Sequence, residues 1–198
     1  MNFLAHIYLS GDSDDVLAGN FIGDFVKGRT YLKYPENIRT GILLHRKIDE
    51  FTDNHMATRE CKSYVNEKYN KYAGVVVDIF YDHFLATHWK NYSSIPLDEY
   101  SQKKYKILGK YFEIFPKEVQ HFFPNFLKRN WLQAYTTIEG IRSVLERMAN
   151  WTTIPDFSAF AMEKLKENHT ELRDLFFEFF SDIRNYVSTE YSIVLNGK

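Results

Sequence analysis

The chain has 198 residues, which is one domain by the usual size prior and long enough to bury a core without disulfide staples. It carries 17 Phe, 14 Tyr and 3 Trp against only 9 Gly and 5 Pro, which argues against disorder and against a turn-rich β-sandwich. The formal net charge of -1 gives no global field of the kind that marks a nucleic-acid binder. The single cysteine, Cys61, forms no internal disulfide, and no apolar run reaches the ~18 residues of a membrane span. The apolar stretch Met1–Ser10 has no Lys or Arg and is followed at once by Asp12, Asp14 and Asp15, unlike a signal peptide. The expectation is a soluble, cytoplasmic protein with no nucleic-acid or membrane partner.

Apolar residues recur at helical spacing along the whole chain. Asp12-Ser13 caps a predicted helix over 13–27, and Pro35 opens a second over 35–53. A polar helix is predicted over 55–70 and a strongly apolar one over 74–90. Pro96 opens a helix over 97–114, and residues 116–135 read as short helices broken at Pro124. Thr136-Thr137-Ile138-Glu139 reads as a capping box for a helix carrying Ile138, Ile141, Leu145 and Met148. One long aromatic helix is predicted over 156–190. The fold class is therefore all-α, a single helical domain over 1–198.

The informative residues are acids and histidines on apolar stripes. On the second helix Ile38, Ile42, His45, Asp49 and Thr52 share one face, with His45 and Asp49 at i and i+4. On the apolar helix Val75, Asp78, Ile79, Asp82 and Ala86 share a stripe, and His83 adjoins Asp82. On the first helix Asp24 follows Leu17, Asn20 and Phe21 at steps of seven, four and three, and His6 lies in the apolar N-terminal segment. A buried carboxylate is costly unless paired or bound to metal, and two at i and i+4 repel. One cation would resolve both problems. The candidate ligands are His6, Asp24, His45, Asp49, Asp78, Asp82 and His83, a mixed imidazole and carboxylate set that suits Mn, Fe, Zn or Ni better than Ca.

Blander readings compete. Any one of these histidines could be a satisfied core residue, Asp49 could pair with Arg46 or Lys47, and Asp53-Asn54 could simply end a helix. Their recurrence on three segments within the first 90 residues favours a site. Glu118-Val119-Gln120-His121 is a single E-x-x-H, where a ferritin-like di-iron bundle needs two. No P-loop, dinucleotide fingerprint, H-E-x-x-H or G-x-S-x-G occurs. Charge is uneven: Phe25 to Lys47 holds six basic residues and one acid, whereas Glu139 to Glu190 holds ten acids and six bases. Trp89 and Trp131 are the tryptophans expected near a site.

Several motifs, taken together, resemble those of the bacterial acyl carrier protein phosphodiesterases. They are Asn2–His6 (NFLAH), Gly19–Gly28 (GNFIGDFVKG), Gly41–Asp49 (GILLHRKID), Phe51–Asn54 (FTDN) and Asp78–Trp89 (DIFYDHFLATHW). Their order and spacing match through the first 90 residues, and a looser similarity continues through Asn130–Tyr135 and Val144–Met148. The resemblance implies a divergent, HD-domain-like helical bundle that depends on a divalent metal, Mn with Fe or Mg as alternatives. It implies hydrolysis of holo-acyl carrier protein, an acidic protein substrate, to apo-protein and 4′-phosphopantetheine. One departure from ordinary HD domains is the doublet Asp82-His83, which reverses the usual order.

Joining the stripes to the resemblance gives expected roles. Asp24, His45, Asp82 and His83 hold the metal, with His6, Asp49 and Asp78 as further ligands or supports. Lys27, Arg29 and Arg46 receive the phosphate or the acidic partner, and His83 or His88 protonates the leaving serine. The catalytic set is Asp24, His45, Arg46, Asp49 and His83. Two other readings use the same residues: a hydrolase of a nucleotide or other small phosphoester, and a non-catalytic helical binding module.

Overall fold

The second and third helices lie backbone against backbone because glycines face each other where they meet. A Cβ at Gly19 would collide with the Ile38 carbonyl oxygen, and one at Gly41 with the Val16 carbonyl oxygen. This close approach carries Asn20 and the following turn onto the face of the helix that bears His45. It anchors an all-α architecture, described here for residues 1–195 of a computed structural model. Among the described residues the helices are α1 (Phe3–Leu9), α2 (Asp14–Phe21), α3 (Glu36–Asn54), α4 (Met56–Tyr69), α5 (Ala73–Thr87), α6 (Leu97–Gly109), α7 (Lys117–Lys128), α8 (Trp131–Ala134), α9 (Ile138–Trp151), α10 (Ser158–Glu167) and α11 (His169–Tyr191), with no strand.

Helix α5 is the centre of the bundle, touching α1, α4, α9 and α11. It buries Val76, Val77, Ile79, Phe80, Tyr81, Phe84 and Leu85, so apolar residues surround it on nearly every side. The short apolar N-terminal segment is itself helical. Asn2 caps α1 by accepting from the Phe3 amide at 2.8 Å, and Leu4, Ala5, Ile7 and Leu9 are buried between α2 and α5. Phe3 at its start packs on Phe21 and Phe126, with ring centroids 5.4 and 5.1 Å apart.

Several boundaries differ from the sequence expectation. The first predicted helix stops at Phe21, and Gly23–Phe25 forms a 3-10 turn, so Asp24 is not on the α2 stripe. Helix α6 ends at Gly109, and Phe112–Ile114 form a separate 3-10 turn. Pro124 does not break α7, whose buried Val119, Phe123 and Phe126 hold the helix across the missing amide. The α9 cap is Thr137, whose Oγ1 accepts from the Gly140 amide at 3.0 Å, one residue later than the Thr136 reading. The long C-terminal helix is two, because Asn168 leaves helical geometry and its Nδ2 donates back to the Lys164 carbonyl at 2.9 Å, closing α10.

Candidate metal centre and its cleft

A cleft of about 690 Å³ opens beside the junction of α1, α2, α3 and α5. His6 from α1 and His45 from α3 lie at it with their rings stacked, centroids 4.0 Å apart and planes 16° from parallel. Both are nearly buried, at 3% and 4% exposure, while Asp49 is partly open to the cleft. His6 Nε2 stands 3.2 Å from Asp49 Oδ1, and His45 Nε2 stands 3.1 Å from Asp49 Oδ2. The i, i+4 spacing of His45 and Asp49 on α3 thus converges on one point, as expected. His45 fits because Gly23 packs under its ring, where any Cβ would collide with it.

Burial disfavours a charge on His6, and neighbouring His45 adds repulsion, so its pKa falls to about 4. Burial acts in the same direction on His45, but hydrogen bonds and charge from Asp24 and Asp49 outweigh it and hold that ring up to about 9. Burial would raise Asp49, but the Met1 amino group and the two imidazoles hold it well below the usual carboxylate range.

His45 Nε2 is a buried polar atom without a hydrogen-bond partner. Its other nitrogen, Nδ1, lies 2.9 Å from the Asn20 carbonyl oxygen and must donate to it. Nε2 points at Asp49 and, 3.4 Å away, at Asp24 Oδ1, which hold a proton on it in the charged ring. A cation in the place of that proton would answer both carboxylates. Ligand atoms of His6, His45 and Asp49 all lie within 4.8 Å of one another. Two nitrogens and a carboxylate suit a divalent transition metal.

The structure redistributes the other expected site residues. Asp24 sits on an exposed turn rather than an inward stripe, yet it lines the cleft, with Oδ1 3.4 Å from His45 Nε2. Asp78 lines the cleft with Oδ1 3.0 Å from the Met1 amino nitrogen, and burial raises its pKa. Asp82 is elsewhere: it is fully buried, Oδ2 accepts from the Leu4 amide at 2.7 Å, and Oδ1 accepts from the Ala5 amide at 3.2 Å. It closes the N-terminus of α1, where a carboxylate also meets the positive end of the helix dipole. Burial pushes it up to about 7, against the pull of these amides.

His83 is a second correction. Its Nδ1 donates to the Tyr135 carbonyl at 2.7 Å, burial lowers its pKa, and it does not line the cleft. Nor does His88, whose Nδ1 lies 3.0 Å from the Phe84 carbonyl and whose ring abuts Phe177. The Asp82-His83 doublet is thus taken up by main-chain partners, away from the cleft that Asp78 lines.

Arg46 is occupied by main chain: its Nη2 donates to the Val26 and Gly28 carbonyls at 2.7 and 2.8 Å, and its guanidinium lies over Tyr31. Lys27 and Arg29 are exposed on the segment it clamps, outside the cleft lining. Besides the Met1 amino group, the cations that line the cleft are Lys62, whose Nζ donates to Asp53 Oδ1 at 2.7 Å, and Lys71. Sequence reasoning missed both lysines, because Lys62 lies on what reads as an ordinary polar helix and Lys71 in the turn that follows it. It also missed the role of Asn20, although the residue stood in a quoted motif. Trp89 and Trp131 do not line the cleft.

The sequence model of the acyl carrier protein phosphodiesterase family matches residues 1–183. The acyl carrier protein phosphodiesterase of Yersinia pestis is 31% identical over 183 residues, covering 91% of this chain and 94% of that protein. The proteins of that name from Serratia proteamaculans (strain 568) and Salmonella paratyphi A are 29% and 30% identical over 181 residues, with the same coverage. No solved structure matches significantly. The match spans every residue of the His6, His45 and Asp49 cluster, and the chain belongs to the acyl carrier protein phosphodiesterase family.

Proposed function

We propose that this protein is a cytoplasmic, metal-dependent, HD-like phosphodiesterase that hydrolyses holo-acyl carrier protein to apo-protein and 4′-phosphopantetheine. One observation carries the reading: in a chain of this family, two histidine Nε2 atoms and both oxygens of Asp49 converge at a cleft. His6, His45 and Asp49 would hold the cation, Mn first and Fe or Mg as alternatives, with Asp24 within reach of His45. A bound divalent cation supplies an acidified water and draws charge from the phosphoryl oxygens.

The chain's own residues do the rest. Lys62 and Lys71 face the cleft and favour a phosphodiester anion there. Phe3, Phe21, Phe25 and Met148 line its apolar side and limit water around the reacting phosphorus. Water adds to phosphorus, the bond from phosphorus to the serine oxygen breaks, and that oxygen leaves with a proton. Exposed Lys27, Arg29 and Lys33 sit on the segment that follows Asp24 and suit an acidic carrier protein. Incubating holo-acyl carrier protein with the protein and Mn²⁺ tests the reading by mass spectrometry. Loss of the phosphopantetheine arm is expected. An intact arm with Mn²⁺, Fe²⁺ and Mg²⁺, or equal turnover of a small phosphodiester, would overturn it.

A further inference from the structure

Asn20 is fully buried and touches both histidines of the cluster. Its Nδ2 donates to the His6 carbonyl oxygen at 2.9 Å and to Ser10 Oγ at 2.9 Å. Ser10 Oγ gives its own hydrogen to the same His6 carbonyl, at 2.7 Å, so it can only accept from Asn20. Both amide hydrogens are therefore used, and a flipped amide would set Oδ1 against a carbonyl oxygen. That orientation leaves Oδ1 facing His6 Nδ1 at 2.8 Å and His45 Nδ1 at 3.2 Å. The Asn20 main-chain carbonyl takes His45 Nδ1 as well, at 2.9 Å.

Facing an acceptor, each Nδ1 must carry its hydrogen. Acceptors also face Nε2, but the shortest contact of each ring is at Nδ1, 2.8 Å for His6 and 2.9 Å for His45, so in the neutral ring the hydrogen sits there and Nε2 is a lone pair. His6 Nε2 faces the Met1 carbonyl at 3.1 Å and Asp49 Oδ1 at 3.2 Å, both acceptors. Left to itself, neutral imidazole favours the opposite form, with hydrogen on Nε2. We propose that Asn20 is the positioning residue of this site: its carboxamide imposes the Nδ1–H tautomer on His6 and His45 together and so presents two Nε2 lone pairs to one divalent cation. The cation belongs to the function proposed above, whereas the His6 tautomer is a property of the metal-free chain. The glycine contact between α2 and α3 is what lets one amide reach rings on two helices.

The test separates the two. Long-range proton–nitrogen spectra of the metal-free protein near neutral pH should find His6 with hydrogen on Nδ1. Asn20→Ala should move it toward the Nε2–H form. Manganese affinity, by calorimetry, should fall about 10- to 100-fold in Asn20→Ala. Asn20→Asp keeps the acceptor and should recover most of that loss. Ser101→Ala, which removes a buried hydroxyl on α6 away from the cluster, should lower stability while leaving manganese affinity near wild type, whereas a merely structural role predicts affinity tracking stability in all three variants. A wild-type His6 with hydrogen on Nε2, or wild-type affinity in Asn20→Ala, overturns the proposal. If the wild type takes up no Mn²⁺, the metal reading fails and the spectra still decide what Asn20 does.

Discussion

At the α1–α2–α3 junction, His6 and His45 turn Nδ1 toward Asn20 and leave Nε2 facing Asp49; at Asp82 and His83 on α5, the same residue types are absorbed by main chain. Asp82 has an amide on each oxygen, and His83 has a carbonyl on Nδ1. Both regions are deeply buried, so burial and residue type do not separate them. What separates them is whether a polar atom remains unspoken for. A buried polar atom left unanswered costs about 1–3 kcal/mol, and at the junction His45 Nε2 and Asp49 answer each other at the cleft rather than the main chain.

The contrast breaks most sharply at the junction. His45→Ala and Asp49→Asn should each lose about 10³-fold or more in carrier hydrolysis, with manganese uptake lost and the fold retained by circular dichroism. Asp82→Ala should do the reverse, leaving two α1 amides buried without acceptors. Denaturant melts should register about 3 kcal/mol less stability. Lost metal binding with unchanged stability in Asp82→Ala would instead return Asp82 to the ligand set.

Acid–base behaviour sharpens the comparison further. Asp24 and Asp49 hold His45 up to about 9 in the folded, metal-free protein, above the ordinary 6.5, so the folded state binds its proton more tightly. That stabilisation is fully present below 6.5 and is lost as pH rises through about 9, an effect of about 3 kcal/mol at most. Urea melts of metal-free protein between these values should show the decline, and His45→Gln should remove it. Smallest is the docking effect. Lys27→Glu with Arg29→Glu should raise KM for the carrier protein about tenfold at low salt and leave kcat unchanged, with the gap closing as salt is added. An equal effect on a small phosphodiester would move these residues into the cleft chemistry.

Much was legible from residue order alone. Helical periodicity gave α3, α4 and α5 to within a residue or three, because each is long and ends at an evident punctuation. The His45–Asp49 pair was legible because a single helix carries both, and i, i+4 geometry is local. Asp24 was misplaced because the stripe argument assumed a helix that ends at Phe21. Asp82 and His83 were assigned on the same stripe logic, which reads the face of a helix but not what packs against it. Here the partners are the amides of α1 and the carbonyl of Tyr135, some 50 to 80 positions away.

Composition and periodicity determined an all-α chain with an imidazole and carboxylate pair on α3, since both follow from contacts within one turn or two. Only the tertiary structure decided that His6 completes the pair, that Lys62 and Lys71 rather than Arg46 face the cleft, and that Asn20 holds both rings. The last of these depends on α2 and α3 meeting through Gly19 and Gly41. A distance between helices is set by every side chain in the interface, and no spacing along the chain encodes it.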